Sequence, residues 1–298
     1  MSRPLTFAVP PGAAALSLAT PRGTFAAIEA PAAPGATRGS ALLLPGIMGS
    51  KEDFTALLAP LAARGYRTVA VDGRGQYESR GPESDEGPYA QDELARDALA
   101  QAAALGPGPV HLVGHSFGGL VARAAALLDH RPLCSLTLMA SGPAAVAPSQ
   151  QERLRLLLDA LPVMGMARVW ELKQQLEAAD SAAGDGAAGI VEHDAEDLRR
   201  RWMAGSPAEL LAAARQLREE PDRVAQLAAV PLPVHVLSGE RDDAWPVPLL
   251  DEMARRLGAR RTVVAGAEHS PNTDRPKETA EALADFWDLC GHAPAAGD

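Results

Sequence analysis

The sequence predicts an α/β fold: a mostly parallel sheet covered by helices on both faces, with a helical block inserted late in the series. Three observations carry that expectation. Short apolar runs bounded by turn residues recur along the chain, and several are continuously apolar, as strands buried on both faces are. Patterns of helical period separate the later runs, and strand alternating with helix gives parallel neighbours joined by right-handed crossovers. One stretch, from about Pro143 to Val230, breaks the alternation with helical patterns alone.

Taken in order, Phe7 and Val9, then Leu16 and Leu18, alternate like strand residues. Pro10-Pro11-Gly12 interrupts the unbroken apolar helix that a secretory signal needs. Leu16–Ala19 and Gly23–Glu29, joined through Pro21-Arg22-Gly23, predict an antiparallel hairpin. Strands are expected next at Ala41–Leu44, Thr68–Val71, Val110–Val113, Leu136–Met139, Val234–Leu237 and Thr262–Ala265. Phe54, Leu57, Leu58 and Leu61 mark one helix, and Leu94, Ala98, Leu99 and Leu105 another. Leu120, Val121, Ala124, Leu127 and Leu128 mark a third, apolar nearly all round and hence central. Leu249, Leu250, Met253 and Leu257, then Ala280, Leu283 and Phe286–Leu289, mark two more near the end.

Inside the insertion, Leu154–Leu161 and Val169–Leu176 are apolar-rich, and the small polar segment Ala178–Gly189 predicts a loop. Ser206-Pro207-Ala208-Glu209 has the form of a capping box with proline at the first helical position. Arg199, Arg200 and Arg201 read as a solvated face. The expected division is 1–142 for the first part of the core, 143–230 for a helical cap and 231–298 for the second part, with a disordered tail after Gly291.

At 298 residues the chain suits one large α/β domain with an insertion. Aromatics are only 4% of the chain, so its core must rest on Leu, Val and Ala. A formal charge of −10 argues against nucleic acid or an anionic membrane as a standing partner. No stretch is long and apolar enough to span a bilayer. Cys134 and Cys290 fit neither a disulfide framework nor a metal spacing, which points to a reducing cytoplasm. Glycine-rich phosphate loops, metal-ligand clusters and cofactor fingerprints do not appear, so no cofactor and no metal are expected.

Gly114-His115-Ser116-Phe117-Gly118 is the central chemical signal. The bare G-x-S-x-G pattern is weak; its setting between the apolar run Val110–Val113 and the helix start Gly118-Gly119-Leu120-Val121 is what sharpens it. A strand-to-helix elbow there would push the Ser116 hydroxyl out of the sheet, with Gly114 and Gly118 where side chains would collide. The helix behind it would favour negative charge at its N-terminus. A serine nucleophile needs a base. His269 directly follows Thr262–Ala265 and the turn Gly266-Ala267-Glu268, at the C-terminal end of the last expected strand. The other histidines are less well placed: His115 should point away from the nucleophile, His111 and His235 lie inside strands, His193 in the insertion, His130 beyond a helix and His292 in the tail. The base in turn needs an acid to orient it. Three carboxylates compete after Val234–Leu237: Glu240, Asp242 and Asp243.

The chain resembles the α/β-hydrolase superfamily, whose corresponding loop commonly reads G-x-x-D-x-x-x-P; Gly239, Asp242 and Pro246 match that spacing and Asp243 is off by one. The order Ser116, Asp242, His269 is that expected of the fold. The resemblance implies oxyanion donors at the backbone N–H of Phe117 and of Ile47, in the loop Pro45-Gly46-Ile47-Met48-Gly49. Pro45 stands where the family usually has a histidine that braces this loop. Asp72-Gly73-Arg74-Gly75-Gln76-Tyr77-Glu78-Ser79 resembles the family's D-x-R-G-x-G-x-S turn, with Tyr77 in place of the second glycine, and reads as structural.

The activity implied is a serine hydrolase acting on a carboxylic ester, with thioester, lactone or amide behind it, through an acyl-enzyme on Ser116. Met48, Met164, Met166, Trp170, Trp202, Met203 and Trp245 are the expected lining of the pocket for a small-molecule acyl substrate. The same triad could instead run cofactor-free perhydrolysis (haloperoxidase activity) or C–C bond cleavage, and from another class the fold could serve as an inactive binding protein.

Overall fold

The computed structural model describes residues 2–35, 37–183 and 192–291, with the side chains of all of these except 177–183, 192–194 and 291. The chain opens with β1 (Ala14–Thr20) and β2 (Gly23–Ala30), then runs through β3 (Gly39–Leu44), α1 (Thr55–Ala63), β4 (Tyr66–Val71), α2 (Gln91–Ala104), β5 (Val110–His115), α3 (Phe117–Leu128) and β6 (Leu133–Met139). Four helices follow without a strand: α4 (Pro148–Ala183), α5 (Glu192–Ala204), α6 (Pro207–Glu219) and α7 (Val224–Ala228). The chain then makes β7 (Val234–Gly239), α8 (Val247–Leu257), β8 (Arg260–Val264), α9 (Pro271–Asp274) and α10 (Pro276–Gly291). Among the described residues eight strands form one sheet in the order β1-β2-β4-β3-β5-β6-β7-β8. β2 is antiparallel to both β1 and β4, and the other neighbours are parallel.

Alternation along the central strands loads both faces with aliphatic side chains. Leu42 and Leu44 of β3 enter the larger core with α2, α3 and α8, while Ala41 and Leu43 face α1 and α10 in a second core that includes Trp287. The strands extend beyond the purely apolar runs, and two of their buried histidines are matched by hydroxyls on neighbouring strands. β6 begins at Leu133, since Ser135, fully buried, lies 2.7 Å from Nδ1 of the buried strand residue His111. His235 of β7 is matched likewise by Thr262 of β8 at 2.9 Å. Burial drives both imidazoles down, to about 4 for His111 and about 3 for His235, so both are neutral packing groups.

Three local readings are corrected by the structure. Phe7 and Val9 are not in a strand: the hairpin pairs Ala14 with Glu29 near the end of β2, so residues upstream have no partner to form a ladder with. Phe7 instead packs edge-on to Tyr77, with the Arg201 guanidinium over its ring. The loop expected over Ala178–Gly189 is helical as far as Ala183, the end of α4, and 184–189 lie outside the described residues. The tail after Gly291 also lies outside them. Arg201, read as part of a solvated face, is buried: it donates to Asp53 Oδ1 at 2.6 Å, Ser50 Oγ at 3.1 Å and the Ser2 carbonyl at 2.6 Å. Its partner Asp53 lies 148 positions away, and a pair of this kind is strongly destabilising to break because it would strand a buried charge.

The helices between β6 and β7 pack in two ways. Leu161, Val169, Trp170, Leu198, Trp202 and Leu210 form an apolar cluster of their own, joined by Ile47 and Met48 from the loop after β3. Ala208, Ala212, Ala213 and Leu217 of α6, with Val224 and Leu227 of α7, join the main core instead. Among the described residues no helix is long and apolar enough to cross a membrane.

Candidate active site

The site is built where β5 turns into α3. Ser116 has φ 53° and ψ −118°, a left-handed backbone that side chains rarely adopt, and it is the residue immediately before the first turn of α3. Glycine is required on both sides. A Cβ at Gly114 would lie 2.2 Å from the Gly118 carbonyl oxygen, and one at Gly118 would lie 2.5 Å from the carbonyls of Leu44 and Pro45. Only bare backbone lets β3, the elbow and α3 approach this closely.

Asp242 and His269 arrive on the loops after β7 and β8, at the same C-terminal edge of the sheet as Ser116. Gly239 permits their meeting, since a Cβ there would be 2.2 Å from the Glu268 carbonyl oxygen, just before His269. His269 Nδ1 lies 3.0 Å from Asp242 Oδ1, and Nε2 lies 3.0 Å from Ser116 Oγ. A carboxylate can only accept, so Nδ1 carries the proton and Nε2 is left to accept from the serine hydroxyl. The Asp242 side chain is fully buried, and its Oδ1 also accepts from the backbone N–H of Ala244 at 2.8 Å and of Trp245 at 3.0 Å. Asp243 is exposed and accepts from Gln150, and Glu240 accepts from the Gly266 N–H; an Asp243 oxygen comes within 4.8 Å of the imidazole, but the hydrogen bond to Nδ1 is made by Asp242.

The His115 side chain packs against the base, its ring centroid 5.3 Å from that of His269. It is buried, and its Nε2–H donates to the His269 carbonyl oxygen at 2.9 Å. Burial holds its imidazole down to about 3, so it is a neutral strut beneath the histidine loop. Nothing in its sequence position beyond adjacency to Ser116 signals that contact.

A family model described as "Alpha/beta hydrolase family" matches residues 41–282. The chain belongs to the alpha/beta hydrolase family. It is 32% identical over 237 residues to a pimeloyl-[acyl-carrier protein] methyl ester esterase of Aeromonas hydrophila, covering 77% of this chain and 88% of that protein. Among solved structures it is similar to a thermophilic esterase from Thermogutta terrifontis (TM-score 0.71, 22% identity, 93% of this chain and 99% of that one). It is also similar to an epoxide hydrolase from Vigna radiata (TM-score 0.71, 17% identity, 93% of this chain and 98% of that one). Neighbours of such unlike activity carry the fold alone.

In this alpha/beta hydrolase the loop after β3 packs directly on the elbow: a Cβ at Gly46 would be 3.1 Å from Ser116 Cβ. Phe117 is the first residue of α3, and the N–H groups of a first helical turn have no partner within the helix. Ile47 is partly buried in the cluster beneath the inserted helices. Of the residues expected to line a pocket, Met48, Met166, Trp170 and Trp202 share that cluster, with the two indole rings 5.8 Å apart and Trp202 Nε1–H donating to the Met166 carbonyl. Met164 and Met203 do not: they are 49% and 40% exposed. The helical phase of α4 breaks at Gly165 (φ 72°), which puts Met164 and Met166 on opposite sides of the break, and Met203 points away from the face that buries Trp202. Trp245 is fully buried in the main core and donates to the Ala144 carbonyl, 6.2 Å from the His269 ring.

Two polar residues escape a reading of the sequence. Gln76, in the turn after β4, is buried, donates from Nε2 to the Gly46 carbonyl at 3.0 Å and accepts at Oε1 from the Gly73 N–H at 3.0 Å. Glu209 reads as the acid of a capping box, and Ser206 Oγ does accept from its N–H at 3.2 Å. Its carboxyl, however, is buried between cavities of about 40 and 20 Å³ behind the Gly46–Gly49 loop, with Gln76 as a polar neighbour. Burial pushes that carboxyl up to about 8 from an ordinary 4.5. Between those two values the folded chain holds a proton that the unfolded chain has released, so stability falls as pH rises through the window, by roughly 1.4 kcal/mol per pH unit. Glu209→Gln removes the titration, and its Tm advantage over the parent is expected to grow between about pH 5 and pH 8. A constant difference between the two Tm curves would show that the carboxyl ionises normally.

Proposed function

We propose that the protein hydrolyses a carboxylic ester through an acyl-enzyme on Ser116, with His269 as general base and acid and Asp242 orienting it. The observation that carries the reading is one imidazole 3.0 Å from Ser116 Oγ on one side and 3.0 Å from Asp242 Oδ1 on the other. Ser116 Oγ attacks the ester carbonyl as its proton moves to His269 Nε2, and the buried Asp242 carboxylate stabilises the imidazolium. The carbonyl oxygen, now negative, accepts from the N–H groups of Ile47 and Phe117, at the positive end of α3. Collapse expels the alcohol, which takes the proton from Nε2; water then repeats the sequence and releases the acid. Similarity to a relative named for a methyl ester supports a carboxylic ester as the bond. The two free cysteines suit a cytoplasmic setting.

An alkyl fluorophosphonate is expected to add one label per chain, on the Ser116 peptide, and p-nitrophenyl esters of graded acyl length to be turned over. A label on another residue, or none on the folded protein, overturns the reading. In this proposal the helices of 143–230 form a cap whose cluster of Met48, Met166, Trp170 and Trp202 bounds the acyl group. One methylene in such a pocket is worth about 1–3 kcal/mol. Trp202→Ala and Met166→Ala should therefore shift the kcat/KM ratio of long to short acyl esters upward about tenfold. Unchanged ratios in both stable variants would remove the cap from substrate selection.

A further inference from the structure

We infer that Gln76 is a positioning residue for the oxyanion-binding peptide, taking over the bracing of a loop in which Pro45 has no side-chain donor. The inference rests on the reading of Ile47 N–H as an oxyanion donor. That N–H belongs to the peptide unit whose carbonyl is Gly46 O. A peptide unit is planar and its N–H and C=O point in opposite directions when trans, and no cis bond occurs in the described chain. Whatever aims the Gly46 carbonyl therefore aims the Ile47 N–H.

Two donors converge on that carbonyl. Gln76 Nε2 lies 3.0 Å from it, and the Gly49 N–H closes a turn onto it at 3.0 Å. The Gln76 amide cannot be reversed, because its other end accepts from the Gly73 N–H, and turning it over would oppose donor to donor and acceptor to acceptor. The amide is in turn held by its own backbone: Gln76 N–H donates to the Gly73 carbonyl, and the Gln76 carbonyl accepts from the Ser79 N–H. Gly73 leaves the space, since a Cβ there would lie 2.8 Å from Gln76 Oε1. On the other side, the close approach of Gly46 to Ser116 Cβ ties the same peptide to the nucleophile.

Position is half of the effect. Donation into a carbonyl polarises the whole peptide unit, so two bonds at Gly46 O make the Ile47 N–H a stronger donor, in a buried setting where such bonds count for more than in water. The strengthened donor meets negative charge only after the carbonyl has been attacked. Its loss should therefore appear in kcat, with KM nearly unchanged.

The test uses Gln76→Met, which keeps the length of the side chain and removes the donor, with Gln76→Asn as a second variant that keeps an amide but shortens its reach. Gln76→Met is expected to lower kcat for a short p-nitrophenyl ester about 10- to 100-fold with KM within about twofold. Binding of a trifluoromethyl ketone, whose adduct with Ser116 carries an oxyanion, should weaken by the same factor as kcat/KM. A role in folding alone would lower Tm while leaving kcat and ketone affinity at parental values, and that result overturns the inference. If Gln76→Met is unfolded at the assay temperature, the same comparison is read on Gln76→Asn. Fluorophosphonate labelling of the parent separates the two levels: no label at Ser116 removes the reading beneath the inference, whereas a labelled parent with an unimpaired Gln76 variant removes the inference alone.

Discussion

Ser116→Ala is expected to lower kcat by about 10⁵- to 10⁶-fold and to abolish fluorophosphonate labelling, with the fold intact. The hydroxyl is the only atom removed. Ser116 Oγ is 3.0 Å from the base and immediately precedes α3, and a methyl group can neither form the acyl bond nor return it. Alanine must adopt the same backbone at φ 53°, so no strain is added there. What is lost is a polar atom, and the effect on Tm should be near zero or positive, as is common where a site keeps strain for function. Residual turnover at the level of the oxyanion donors alone would fit the proposal. Retained labelling at stoichiometric yield would place the nucleophile elsewhere.

Asp242→Asn is expected to cost about 10³- to 10⁴-fold in kcat, and Asp243→Asn less than about threefold. The structure alters the reason one would give from sequence. An asparagine in place of an orienting aspartate is expected to select the wrong imidazole tautomer. Here, however, Oδ1 is already claimed by the N–H groups of Ala244 and Trp245, so the amide oxygen of the introduced side chain should occupy that position and still accept from His269 Nδ1. The amide nitrogen then takes the place of Oδ2, which is buried and has no partner. Tautomer and geometry survive; the negative charge that stabilises the imidazolium does not. In the ¹⁵N NMR spectrum of Asp242→Asn the neutral imidazole should therefore still carry its proton on Nδ1, whereas a tautomer fault would leave Nδ1 bare, accepting from the introduced amide, with the proton on Nε2. Asp243 is exposed and bonded to Gln150, so its charge is screened by solvent. A reversal of the two losses would assign the orienting role to the neighbouring carboxylate.

The fold class, the order of most elements, and Ser116 and His269 at the sheet edge were legible in the residues themselves, whereas Asp242 was separated from Glu240 and Asp243 only by resemblance to the family's loop. The legible features are properties of local chemistry. Continuous apolar runs read as buried strands, and Gly114 and Gly118 around Ser116 are where backbone must pass backbone. Ser206 with Pro207 caps α6 because both act within one helical turn. Which polar side chains find distant partners depends instead on how the segments pack. Arg201 sits in a run of three arginines with nothing local to distinguish it, and its burial depends on Asp53 far back in the chain. Gln76 falls where the D-x-R-G-x-G-x-S pattern specifies no residue, and it meets its partner only because Gly46, 30 residues earlier, lies across from it. Glu209 has the spacing of a capping acid, yet α6 packs so close to the Gly75–Gln76 turn that its carboxyl is enclosed. Met164 and Met166 are alike in composition and separated by the break at Gly165. Periodicity and turn chemistry are written into neighbouring residues, whereas burial of a particular polar group depends on the three-dimensional meeting of segments that no local pattern encodes.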